Sequence, residues 1–180
     1  MVMGWGTHPN DLDIHLTIIN ECHVYYGNKA CTGASLDVDN VSGGNYGPET
    51  ITIKQYQTSR IYMLWVFDYS RHSYWRLHRS QARVAIKSQG HDEKLIYVPT
   101  QMSGTKWYWF IGCFRGNEGL HTMAIVNELR SSISTSLCNN LQRSADISTN
   151  STIEGQQSTS CNICLSHLLL NISLLFYITK

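Results

Sequence analysis

The feature that most constrains this chain is a strictly alternating segment, Asp11–Ile18, in which every second residue is apolar. Successive side chains of a β-strand point to opposite faces, so the segment predicts a strand with one buried and one polar face. The apolar face holds Leu12, Ile14, Leu16 and Ile18. Such a strand needs a second packed layer over its apolar face, which favours a layered β-architecture.

Similar patterns recur along the chain and predict about eight short strands. Arg60–Phe67 is apolar on both faces, which is typical of a central strand and places Trp65 in the interior. Ala82–Ile86 alternates with charged residues and predicts a half-exposed strand. The 13 glycines supply turns between these segments, and no convincing helical pattern of ten residues is present. The predicted fold class is all-β, an antiparallel β-sandwich, with a jelly roll or a barrel as alternatives.

Composition divides the chain into three parts. Residues 4–127 carry the strand patterns and are predicted to form the β-sandwich domain. Residues 128–160 are rich in Ser, Thr and Asn and predict a linker, and residues 161–180 form an apolar tail. We expect this C-terminal part to be disordered or poorly packed, because it buries too little apolar area to offset its ordering entropy. Its apolar run is shorter than the about 20 residues of a bilayer span, so membrane association of this tail is an alternative that the pattern does not favour.

Charge and motifs argue against several classes of function. The chain has 14 basic and 13 acidic residues and a net charge of +1. It therefore has no global field to attract nucleic acid, and we expect no nucleic-acid partner. It also lacks a phosphate-binding glycine loop, a Gly-x-Ser-x-Gly nucleophile motif and a His-Glu-x-x-His zinc motif. We predict a protein without enzymatic activity.

The cysteines give one indication of cellular compartment. Cys22 and Cys31 flank a predicted hairpin turn and could form a disulfide in an oxidising compartment. Cys161 and Cys164 have the spacing of a zinc or redox pair. A single pair of this kind, without a second pair, is weak evidence for a metal site.

Side chains able to bind a cation concentrate in the first part of the chain. The predicted site consists of Asp11, Asp13, His15, Asp37, Asp39 and Glu49. The two-residue spacing points each aspartate pair to one side of its strand. If the two strands are neighbours, the carboxylates lie close enough to raise one another's pKa unless a cation neutralises them. Oxygen ligands favour Ca²⁺, with His15 as a flanking hydrogen-bond partner.

The same residues are also compatible with two alternatives to a calcium site. If His23 also turns inward, two imidazoles and the carboxylates favour zinc or another transition metal. If the two strands lie apart, the aspartates cap turns and accept hydrogen bonds from loop amides.

Four motifs in these same segments resemble those of a known family. In order, they are W-G-x-x-P-x-D-L-D-x-H-L at Trp5–Leu16, V-Y-Y-G at Val24–Gly27, L-D-x-D at Leu36–Asp39 and G-P-E-T-I at Gly47–Ile51. On these motifs the chain resembles the YfaP-like family of mainly bacterial secreted or surface domains, over about residues 4 to 127. The resemblance implies an immunoglobulin-like sandwich, often within a larger extracellular protein, and no established enzymatic activity. The strand expected before Trp5 has almost no room here, which favours a chain that is part of a longer protein.

The leading functional hypothesis is a non-catalytic extracellular or cell-surface module, stabilised by Ca²⁺, in adhesion or surface assembly. Its partner would be a protein or a glycan. One alternative is a carbohydrate- or peptide-binding module that uses exposed aromatic side chains. The other is a metal-dependent hydrolase built on Asp11, Asp13, His15 and Asp37.

Overall fold

Two antiparallel sheets make up the fold in a computed structural model that describes residues 1–41, 47–72, 74 and 76–141. In the described residues the strands are β1 (Val2–Gly4), β2 (Leu12–Ile18), β3 (Cys22–Val24), β4 (Ala30–Cys31), β5 (Ala34–Val38), β6 (Glu49–Ile53), β7 (Ile61–Asp68), β8 (Arg83–Ile86), β9 (Lys94–Tyr97), β10 (Tyr108–Arg115) and β11 (Ala124–Arg130). The six-stranded sheet has the order β4-β5-β6-β1-β8-β9, and the five-stranded sheet has the order β11-β10-β7-β2-β3. Short 3-10 turns occupy Leu77–Arg79, Leu120–Thr122 and Thr135–Cys138. The predicted all-β sandwich is confirmed.

The main core lies between the two sheets, where the alternation in β2 predicts it. Leu12, Ile14, Leu16 and Ile18 are at most 1% exposed. The six-stranded sheet contributes Met3, Ile51 and Val84 to the same cluster. β7 is flanked by β10 and β2, as its two apolar faces predict. The burial of these apolar side chains between the sheets is the main contribution to the free energy that stabilises the sandwich.

The expectation that no strand fits before Trp5 is wrong. Val2–Gly4 forms β1 in the middle of the six-stranded sheet, paired with β6 on one side and β8 on the other. Three residues suffice because both edges of this strand are hydrogen-bonded and Met3 is fully buried between the sheets. The sandwich therefore begins before residue 4.

A second apolar cluster covers the outer face of the five-stranded sheet. Trp65 belongs to it, so this side chain is buried as predicted but packs outside the main core. Residues 131–141 lie over the cluster and contribute Ile133, Leu137 and Leu141. A disulfide between Cys113 and Cys138 ties this segment to β10.

The predicted domain boundary at residue 127 falls inside β11, which runs to Arg130. The described part of the predicted linker, residues 128–141, packs on the sandwich because three apolar side chains and one cysteine anchor it. The remainder of the linker, and the apolar tail at 161–180 with its cysteine pair, lie outside the described residues. No helix in the described ranges has the length and apolarity that crossing a membrane requires.

Loss of the Cys113–Cys138 disulfide is expected to destabilise the fold by about 3.5 kcal/mol. The bond closes a loop with a sequence separation of 25 residues, and a loop of that size restricts the unfolded chain by about this amount. The Cys22–Cys31 bond, with a separation of 9, should contribute about 2.6 kcal/mol. Equilibrium urea unfolding of the two paired Cys→Ala variants measures both losses. A loss below about 1 kcal/mol for Cys113→Ala/Cys138→Ala would contradict the tethering role of this bond.

Candidate metal centre

Three carboxylates from separate positions in the chain meet where β2 faces β6. Asp13 lies in β2, Asp11 immediately precedes that strand, and Glu49 begins β6 in the other sheet. One carboxylate oxygen of each residue lies within 4.8 Å of the other two. We refer to Asp11, Asp13 and Glu49 as the carboxylate triad.

The triad forms because one edge of β2 is only partly paired. β3 pairs with β2 between Leu16 and Ile18 and does not reach the first half of the strand. On that side the amide of Ile14 donates a hydrogen bond of 2.6 Å to Oε2 of Glu49, which ties the two sheets together. Asp11 is fixed from the other direction, since its amide donates a 2.8 Å hydrogen bond to Oγ of Ser70.

Several oxygens of the triad are buried without a donor. Oδ1 of Asp11, Oδ2 of Asp13 and Oε1 of Glu49 accept no hydrogen bond from any described residue. The side chains of Asp13 and Glu49 are only 3% and 1% exposed. An unpaired buried carboxylate is strongly unfavourable, so each of these groups needs either a proton or a cation.

The pKa values of the triad reflect this cost. Burial, followed by the nearby charges of Asp11 and Asp39, raises the pKa of Asp13 to about 7. Burial raises the pKa of Glu49 to about 9, although the Ile14 amide acts in the opposite direction. The pKa of Asp11 is also raised, by burial and then by Asp39. In the absence of a cation, Glu49 therefore holds a proton at neutral pH and Asp13 holds one about half of the time.

The geometry of the triad suits Ca²⁺. Ca²⁺ binds oxygen ligands at about 2.3 to 2.6 Å, so oxygens on opposite sides of the ion are about 4.6 to 5.2 Å apart. The triad oxygens fall within this span. Their chemistry also favours a hard cation over zinc, which prefers nitrogen and sulfur ligands.

Asp39 lies near the triad but is not part of it. Its Oδ2 forms a 2.8 Å ion pair with Nζ of Lys29. Its Oδ1 is buried and accepts no hydrogen bond from the described residues. The charge of Asp39 contributes to the raised pKa values of all three triad members. Asp39 is therefore a fourth negative group beside the candidate centre.

Asp37 lies away from the triad, in contrast to the predicted site. It is exposed and accepts a 2.6 Å hydrogen bond from Oγ of Ser35, and this bond is the main reason that its pKa is lowered. The pairing of β5 with β6 shifts register between Leu36 and Val38. Such a bulge breaks the period of two, so Asp37 and Asp39 do not share a face as the spacing predicts.

His15 is held in an aromatic stack rather than in the triad. Its ring lies 3.8 Å from that of Trp65, and its Nδ1 is 2.8 Å from Nε2 of His23. Burial, and then the neighbouring His23, lowers the pKa of His15 to about 2, so the ring is neutral. His23 does turn towards His15, but within the described residues neither imidazole belongs to the triad. The condition for a zinc site is therefore not met.

A further buried carboxylate, which the sequence pattern does not indicate, lies beside the triad. Asp68, at the end of β7, is fully buried and pairs in register with Leu12, next to Asp11. Its Oδ1 accepts a hydrogen bond from the Arg71 amide, and burial raises its pKa to about 6. Nothing in the local sequence separates Asp68 from an ordinary strand-end residue, because its position depends on the pairing of β7 with β2.

The chain matches no protein-family model, no curated protein and no solved structure. The resemblance to the YfaP-like family therefore stays a prediction.

Proposed function

We propose that this protein is a non-catalytic β-sandwich module of the extracellular space or cell surface, in which a bound Ca²⁺ ion joins the two sheets. In this proposal the module acts in adhesion or surface assembly, and its partner is a protein or a glycan.

The observation that carries the calcium proposal is the carboxylate triad with its buried, unpartnered oxygens. Asp13 belongs to one sheet and Glu49 to the other, so an ion between them would cross-link the sandwich. A cation bound by the triad would offset both the repulsion and the burial cost that raise its pKa values. A cation that binds the folded state alone stabilises that state.

Two further features support an extracellular setting. The disulfides Cys22–Cys31 and Cys113–Cys138 are compatible with an oxidising compartment, where such bonds form and persist. The resemblance to the YfaP-like family implies the same location and adds the immunoglobulin-like character of the sandwich.

We do not propose the hydrolase alternative. It requires His15 and Asp37 to act together with Asp11 and Asp13. In the structure His15 is stacked on Trp65 and Asp37 is hydrogen-bonded to Ser35.

Isothermal titration calorimetry with CaCl₂ tests the proposed centre directly. We expect one Ca²⁺ per chain with a dissociation constant of about 10 μM, within the range of natural calcium sites. Asp13→Asn and Glu49→Gln remove a charged ligand each and should weaken binding at least about tenfold. Asp37→Asn is the matched control and should bind as the unsubstituted protein does. Absence of saturable binding, or equal weakening in all three variants, would overturn the proposal.

A further inference from the structure

A Ca²⁺ ion in the triad would retain coordination positions for an external ligand. Ca²⁺ takes six to eight oxygens, whereas three carboxylates supply three when each binds through one oxygen. Asp13 and Glu49 are buried, but Asp11 is only partly so. An ion held by the triad would therefore face solvent beside Asp11 rather than beside Asp13 or Glu49.

Two exposed tyrosines lie beside Asp11. Tyr26 is 42% exposed and Tyr69 is 51% exposed, and their rings meet edge to face with centroids 5.5 Å apart. The ring of Tyr26 also contacts that of Tyr25, with centroids 5.1 Å apart, and the ring of Tyr69 contacts that of Phe67, with centroids 6.3 Å apart. We call Tyr26 and Tyr69 the tyrosine pair.

Hydrogen bonds and electrostatics place the tyrosine pair next to the triad. Ser70, which follows Tyr69, accepts the amide hydrogen of Asp11 through its Oγ and donates its own amide to the Asp11 carbonyl. The pKa of Tyr26 is raised by desolvation, by Tyr69 and then by the charge of Asp13, with a smaller contribution from Asp11. A cleft of about 360 Å³, lined by His8, Pro9, Asn10, Ser70 and His72, adjoins the same segment.

We infer that the triad and the tyrosine pair together form a calcium-dependent saccharide site. Two neighbouring hydroxyls of a sugar ring would occupy two of the coordination positions that the carboxylates leave open at Ca²⁺, while the apolar face of the ring packs on Tyr26 and Tyr69. This inference rests on the proposed calcium centre and names the class of ligand that the centre presents to solvent.

Charge favours a neutral sugar over an acidic peptide. The three carboxylates outweigh the two positive charges of Ca²⁺, so the loaded centre keeps a net negative charge. Asp39 adds a further carboxylate nearby, already paired with Lys29. A carboxylate ligand would be repelled by this arrangement, whereas hydroxyl groups supply oxygen ligands without charge. Tyrosine rings also offer the amphipathic contact that a sugar face requires.

Retention of the full chain on immobilised mannan and galactan tests the inference. Between them, mannose and galactose residues present both geometries of a ring diol, equatorial–equatorial and axial–equatorial. We expect retention on at least one polymer in about 5 mM Ca²⁺ and none in chelator, because the ion is required for contact. Periodate cleaves neighbouring diols, so periodate-treated polymer should not retain the protein.

Substitutions separate the role of the tyrosine pair from that of the ion. Tyr26→Ala and Tyr69→Ala should each lower the affinity for the retaining polymer at least about tenfold and leave Ca²⁺ affinity in calorimetry unchanged. Tyr97→Ala is the matched control, since Tyr97 is 59% exposed on the edge strand β9 of the other sheet.

Normal calcium binding without retention on either polymer would overturn the saccharide site and leave the calcium proposal intact. Retention that persists in chelator, or that does not depend on the tyrosine pair, would overturn it as well. If the unsubstituted protein does not bind Ca²⁺ in calorimetry, both the calcium proposal and the saccharide site are overturned.

Discussion

Replacing Trp109 with alanine is expected to destabilise this protein by about 3 to 5 kcal/mol, which is the usual cost of truncating a fully buried tryptophan. Trp109 is 0% exposed between the two sheets, and its indole N–H donates a 2.8 Å hydrogen bond to Oδ1 of Asn127. The substitution therefore leaves a cavity in the main core, and Oδ1 of Asn127 in β11 loses the indole N–H that it accepts from. Equilibrium urea unfolding, followed by far-ultraviolet circular dichroism, measures the loss.

Trp107 provides the matched control for this substitution. It is only half-buried and its ring packs under the guanidinium of Arg76, with 5.2 Å between the two groups. Trp107→Ala should cost about 1 kcal/mol, as is common for partly exposed positions. If Trp109→Ala does not fold, Trp109→Phe should still show a measurable loss, because phenylalanine fills only part of the space. Equal losses at positions 107 and 109 would contradict the assignment of Trp109 to the main core.

The strands that could be predicted are those whose burial is encoded in their own residues. The alternation of Asp11–Ile18 specifies which face of β2 is buried, whatever its neighbours are. The two apolar faces of β7 likewise indicate a central position. β1 could not be predicted in the same way, because three residues carry no period and its existence depends on distant partners, β6 and β8.

The prediction of a poorly packed segment after residue 127 is wrong for residues 128–141, because composition averages over the few residues that anchor them. Residues 131–141 are mostly Ser, Thr and Asn, which is typical of a linker. Ile133, Leu137 and Cys138 nevertheless attach the segment to the outer face of the five-stranded sheet. The disulfide partner of Cys138 lies 25 residues away, so the pattern of neighbouring residues does not predict this bond.

For the candidate site, the sequence predicts the residue types better than their grouping. The chemistry of Asp11, Asp13 and Glu49 points to a hard cation, and the structure brings these three together. The separation of Asp37 from Asp39 depends on a bulge in β5 that no residue pattern marks. Similarly, the hydrogen bond between the Ile14 amide and Glu49 joins β2 of one sheet to β6 of the other. It depends on how the two sheets pack and is not encoded in a local pattern.

Calcium at about 10 mM is expected to raise the free energy of unfolding by about 4.1 kcal/mol near pH 8. A ligand at about 1,000 times its dissociation constant that binds only the folded state stabilises by this amount, and about 10 μM is the value proposed above. Thermal and urea unfolding in Ca²⁺ and in chelator measure the difference. The paired variant Asp13→Asn/Glu49→Gln should lose most of the calcium response. In chelator it should be at least as stable as the unsubstituted protein, because the substitutions remove two carboxyl groups that are costly to ionise where they are.

The calcium response should also grow as the pH rises from about 6 to about 8. Without metal, Asp13 and Glu49 have folded-state pKa values of about 7 and about 9, above their ordinary values of 3.8 and 4.5. The folded state therefore binds more protons than the unfolded state, and this contribution to stability is lost as the pH rises through the folded pKa values. Ca²⁺ must displace the same protons, so it binds more weakly at pH 6 and replaces the lost stability at pH 8. The low pKa of His15 affects stability in Ca²⁺ and in chelator alike, so it cancels in the difference between them. A calcium-induced gain that is equal at the two pH values, or that persists in Asp13→Asn/Glu49→Gln, would show that the ion binds elsewhere on the protein.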